Sequence, residues 1–102
     1  MRFERTARFD ADWRRLSDAE RQPFREVVSA FHDAAVRVAA APGSRWPATL
    51  RVKPVVNAAG VWEMTSSFSG PDGRATFEWV TIEGETGIRW RRIGGHAVFG
   101  EP

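Results

Sequence analysis

The chain has 102 residues, enough for one domain with a real core. A hydrophobic content of 42%, with five Trp and seven Phe, excludes a disordered chain, and there is no apolar run of the ~18 residues needed to cross a bilayer. Cysteine is absent, which removes disulfides, thiolate metal sites and thiol nucleophiles together, and the net charge is only +2 although 14 of the 15 cations are Arg.

Phe3 to Thr6 reads as a first strand that ends at a helix N-cap. Phe9, Trp13 and Leu16 follow at i, i+4 and i+7, the face of a short helix, with Asp10, Asp12, Arg14 and Arg15 outside it. Ser17 and Glu20 form a capping box, after which Phe24, Val27, Val28, Phe31, Ala35 and Val38 keep helical period to about Ala40. Pro23 has no backbone donor, so the spacing predicts a kinked first turn or a main helix beginning at Pro23. His32 falls on the flank of the apolar stripe and reads as a surface histidine without a role.

Ala41 to Pro47 breaks the helix, and every later segment reads as strand. Leu50 to Lys53 alternates and is stopped by Pro54, and Asn57 to Gly60 forms a turn. Val61 to Phe68 places Trp62, Met64 and Phe68 on one face and Glu63, Thr65 and Ser67 on the other. Ser69 to Gly73, containing Pro-Asp-Gly, is a hairpin loop. Arg74 to Ile82 and Ile88 to Ile93 complete a meander through Glu83 to Gly87. The order is β-α-α-β-β-β-β: an α+β domain over residues 1–102, with a twisted, mainly antiparallel sheet of four or five strands and two N-terminal helices on one face. Phe9, Trp13, Phe24, Val28, Phe31, Trp62, Phe77 and Trp79 are its expected core.

The last strand runs Ile88-Arg-Trp-Arg-Arg-Ile-Gly-Gly-His-Ala-Val-Phe99. Period 2 puts Ile88, Trp90 and Arg92 on one side and Arg89, Arg91 and Ile93 on the other. Gly94 and Gly95 then allow the chain to turn His96 back over the cations. With Trp62, Met64, Phe77 and Trp79 toward the helices, the other face carries Glu63, Thr65, Arg74, Thr76, Glu78, Arg89 and Arg91. Charges of both signs alternate there, so Glu78 is expected to pair with Arg89 or Arg91 across the strands. A phosphate can compete for exposed guanidinium groups held that weakly.

The C-terminal I-x-W-x-R-I-G-x-H-x-x-F pattern, together with Gly60-Val-Trp62 opening a strand, Pro71-Asp72 then Arg74 around a hairpin, and Gly95-His96 with Phe99, resembles the RelE/ParE superfamily of bacterial toxins, most closely its YafQ-like branch. The resemblance spans nearly the whole chain. It implies an endoribonuclease that cleaves mRNA on the ribosome without metal or other cofactor and is neutralised by an antitoxin protein; the cytoplasm is the expected location because no basic start with an apolar h-region suggests secretion. The alternative is a non-catalytic, ParE-like or degenerate member that binds a protein partner or RNA. Cleavage requires a proton taken from the 2′-hydroxyl, charge stabilised at phosphorus and a proton given to the leaving 5′-oxygen. The superfamily often places a tyrosine near its catalytic C-terminus, and with none in this chain proton transfer falls to His96. Asp72 matches the acidic residue of the YafQ-like hairpin. Arg74 and Arg91 are the candidate binders of the scissile phosphate, and Arg51, Lys53 and Arg89 are candidate RNA contacts.

Overall fold

The computed structural model describes residues 1–65, 73–95, 98 and 100–102. Strand β1 (Arg2–Arg5) leads into helix α1 (Ala7–Arg15) and helix α2 (Asp18–Ala40), followed by a 3₁₀ turn (Ala48–Leu50) and strands β2 (Lys53–Pro54), β3 (Trp62–Thr65), β4 (Arg74–Ile82) and β5 (Glu85–Gly94). The five strands form one mixed sheet in the order β1-β5-β4-β3-β2, antiparallel except where β1 runs parallel to β5. The architecture is α+β, with the expected order of elements. Among the described residues no helix is long and apolar enough to cross a membrane.

Both helix starts are built as their sequences dictate. The Thr6 hydroxyl accepts from the Phe9 N–H, while Ser17 and Glu20 exchange the two bonds of a capping box. Helix α2 runs through Pro23 as one element from Asp18. A helix start at Pro23 is therefore not what the chain adopts: the capping box secures the turn before the proline, and buried Phe24 and Phe31 hold the turns after it.

Phe31 and Phe77 are fully buried, and the Phe31 ring lies 4.6 Å from Trp90, 5.0 Å from Phe77 and 5.1 Å from Trp46 between centroids. Phe9, Phe24, Met64, Ala75, Ile88, Trp90 and Ile93 complete this core, while Trp13, Val28, Trp62 and Trp79 pack against it only partly buried. Burial of each large apolar side chain contributes roughly 1.5–3 kcal/mol. Trp46 belongs to the loop after α2, and its stacking on Phe31 makes that loop part of the core.

Three strand expectations change. Leu50 closes the 3₁₀ turn and Arg51 has φ 48°, so the extended chain starts only at Lys53, and Pro54 lies within β2 at the sheet edge, where its missing donor is harmless. Strand β5 begins at Glu85, not Ile88, because Glu83 and Gly84 (φ 51° and 78°) form a two-residue hairpin turn. Finally, Thr76 pairs with Arg92 but Phe77 with Trp90, leaving Arg91 as an extra residue. This bulge reverses the phase of β5, so Ile93 joins Ile88 and Trp90 in the core and Arg92 leaves them.

Candidate functional site

The sheet face away from the helices carries two clusters of charge. In the first, Arg89 sits between Glu4 of β1 and Glu78 of β4, donating to both, and Arg91 donates from Nη1 to the second Glu78 oxygen at 2.8 Å. The row exists because register places Glu4 beside Arg89 and Arg89 beside Glu78. Both expected partners of Glu78 are thus engaged at once, and Glu4, which spacing had not assigned, is a third member. In the second cluster Glu63 lies 3.6 Å from the Lys53 ammonium and 4.0 Å from Arg74 Nε. Among the described residues these two clusters hold the cations Lys53, Arg74, Arg89 and Arg91 and the carboxylates Glu4, Glu63 and Glu78. The pairs of Arg89 and Arg91 remain partly exposed, and such pairs contribute only ~0.2–1 kcal/mol each, little enough for a phosphate to displace.

The face is not uniformly open. Glu63, Thr65 and Thr76 on it are buried. Thr76 is covered by the C-terminal residues: its hydroxyl donates to the Pro102 oxygen at 2.9 Å, and Arg91 Nε donates to the same oxygen at 3.1 Å. The strap is tied further by Arg92, whose Nη1 donates to the Glu101 carbonyl, and by the ion pair of Arg8 with the Glu101 carboxylate.

Among the candidate residues, Arg74, Arg89, Arg91 and Lys53 lie on this face, whereas Arg51 occupies the cap of the 3₁₀ turn. Asp72 and His96 lie outside the described residues. Arg74, two positions after Asp72, is the register partner of Gly94, two positions before His96. The hairpin loop expected at Ser69 to Gly73 lies, apart from Gly73, outside the described residues as well.

Arg92 has a different task. Both arms of its guanidinium bond the Asp12 carboxylate of α1, at 2.6 and 3.0 Å, and Asp12 Oδ2 also accepts the Ile93 N–H. Strand β1 ends its pairing at Trp90, so the Asp12 carboxylate takes over as β5's hydrogen-bond partner beyond it. Burial alone would raise the Asp12 pKa, but the Arg92 and Ile93 hydrogen bonds and the nearby charges of Arg92 and Arg15 outweigh it and hold it below its ordinary value. Asp12 stands three residues after Phe9, on the flank of the apolar stripe, which was the available sign of its burial.

On the helix side, a cavity of about 540 Å³ opens between β1, α1 and α2, floored by Phe9, Phe24 and Trp90 and walled by Phe3, Trp13 and His32. His32 is therefore half-buried rather than a fully exposed surface residue: its ring stacks on Phe3 at 3.8 Å, and its buried Nε2 has no hydrogen-bond partner among the described residues. Its spacing of i+4 from Val28 and i+8 from Phe24 carried that signal. Among the described residues no three His, Asp or Glu side chains gather as a metal-binding set. Comparison of the chain with protein-family profiles, with curated proteins and with solved structures finds no match.

Proposed function

We propose that this chain is a RelE-like toxin: a metal-independent endoribonuclease acting on mRNA at the ribosome and neutralised by an antitoxin that sets acidic groups against Arg89 and Arg91. The observation that carries the reading is the gathering of Arg74, Arg89 and Arg91 on one face of the sheet, the guanidinium groups of Arg89 and Arg91 remaining partly exposed. The resemblance in the C-terminal pattern and the order of elements, with β1 parallel to β5, support it. In this mechanism Arg74 and Arg91 neutralise the phosphate as negative charge grows on it. His96 exchanges protons with the 2′-hydroxyl or the 5′-oxygen, Asp72 supplies the second proton-transfer group, and the P–O5′ bond breaks as the 2′-oxygen bonds to phosphorus.

Induced expression should arrest growth and collapse incorporation of labelled amino acids, with cuts mapped in ribosome-associated mRNA. His96→Gln should remove both effects, since one proton-transfer group contributes ~10²–10⁴-fold. Unimpaired growth at clear expression would defeat the proposal. A second reading has an observation of its own: three carboxylates already partner the cations of the face, as suits a ParE-like or degenerate member that binds a protein or RNA without cleaving it. Growth arrest with intact mRNA would favour that reading.

A further inference from the structure

We infer that Thr76 Oγ1 and Arg91 Nε form a subsite for one oxygen of an RNA phosphate, and that residues 100–102 occupy it as a built-in competitor. Two donors from adjacent strands converge on a single oxygen, that of Pro102, at 2.9 and 3.1 Å. One donor is a neutral hydroxyl and the other a cation, a combination that accepts a carbonyl oxygen and favours an anionic one. Thr76 is 0% exposed beneath the C-terminal residues, so departure of Pro102 uncovers its hydroxyl as a donor for an incoming oxygen. The bulge is what makes the convergence possible: Thr76 is paired with Arg92, and the extra residue Arg91 sits beside that pair.

The occupant is held in a way that permits exchange. Glu101 is fixed by its ion pair with Arg8, both groups being more than half exposed, and by the bond of Arg92 to the Glu101 carbonyl. Contacts of that kind are individually weak and are screened by salt. A phosphate brings a negative charge of its own to the subsite, and Arg91, already turned toward Glu78 through Nη1, has Nε to offer it. The subsite itself rests on this geometry; naming the ligand as an RNA phosphate rests on the nuclease reading.

The test compares the full chain, a variant lacking Glu101 and Pro102, Thr76→Val and Thr76→Ser. Binding of inorganic phosphate and of a 2′-O-methylated RNA hexamer, which cannot be cleaved, is measured by calorimetry, with melting temperatures recorded in parallel. Loss of the competing bond should tighten hexamer binding about three- to tenfold in the shortened chain. Thr76→Val should weaken binding below the parent and Thr76→Ser should restore it. Arg8→Ala, which loosens the strap at an exposed position, should give a smaller gain in the same direction and serves if the shortened chain does not fold. Hexamer binding unchanged on shortening or on Arg8→Ala, or Thr76→Val binding as tightly as the parent, would overturn the inference, and a gain confined to inorganic phosphate would overturn the RNA assignment. Because no cleavage is needed, a protein that binds as expected yet leaves growth and mRNA untouched would refute the nuclease reading alone.

Discussion

His32 is the residue whose environment departs furthest from its sequence context. Phe3 from β1 and Trp90 from β5 meet its ring, with Phe31 on its own helix, and the neighbouring Asp33 is the charged group acting on it among the described residues. Burial disfavours the imidazolium and outweighs the opposite pull of Asp33, so the pKa lies below the ordinary 6.5. The unfolded chain therefore binds the proton more readily than the folded one. The neutral ring's contribution is fully present above pH 6.5 and is lost as pH falls from there through the lowered folded value. Thermal melts between pH 8 and pH 5 should show the parent losing stability across that window relative to His32→Phe. Parallel curves for the two proteins would rule out burial as the cause.

Strand β1 is held on one side only, and its pairing depends on a single absent side chain. A Cβ on Gly87 would sit 2.8 Å from the Arg2 carbonyl oxygen and 2.9 Å from Ile82 Cδ1. The Ile82 methyl can swing aside, but the backbone oxygen belongs to the β1–β5 ladder, where Arg2 is the partner of Gly87. Gly87→Ala should therefore push β1 off the sheet edge at a cost of ~1–3 kcal/mol. Hydrogen exchange of the β1 amides should accelerate while that of the β3 and β4 amides keeps its order. Uniform acceleration across the sheet would show that the strain is not local.

At the scale of the whole molecule, the partly buried pair of Asp12 and Arg92 ties the helical layer to the sheet. Asp12→Asn leaves Arg92 without its carboxylate and should cost roughly 1.5–3 kcal/mol at pH 7. The folded Asp12 pKa is lowered, so its contribution is complete above the unfolded value of 3.8 and disappears as pH drops through the folded one. Urea unfolding at pH 7 should separate parent and variant clearly, and the gap should shrink as pH is lowered below about 3.8. A gap that stayed constant down to pH 2 would mean that the side chain's shape, not its charge, is what matters.

Much of this architecture was legible along the chain because it is set by neighbours a few positions apart. Thr6, Ser17 and Glu20 cap backbone groups within three residues, and the stripe from Phe24 to Phe31 needs only helical period to find the core. The strands from Trp62 to Thr65 and Arg74 to Ile82 likewise follow from period 2, as does the facing of Glu78 toward Arg89. What period cannot report is an interruption of itself. The bulge at Arg91 reverses the faces of Arg92 and Ile93 because β4 pairs with one residue fewer than β5 supplies, a property of two strands together. In the same way Asp12 meets Arg92 across 80 residues, and Thr76 meets Pro102 across 26, only when helix, sheet and C-terminal strap are assembled. Residue type and spacing therefore selected the cations of the candidate site, while packing decided which of them lie on the sheet face away from the helices, which brace the fold, and which oxygen sits between Thr76 and Arg91.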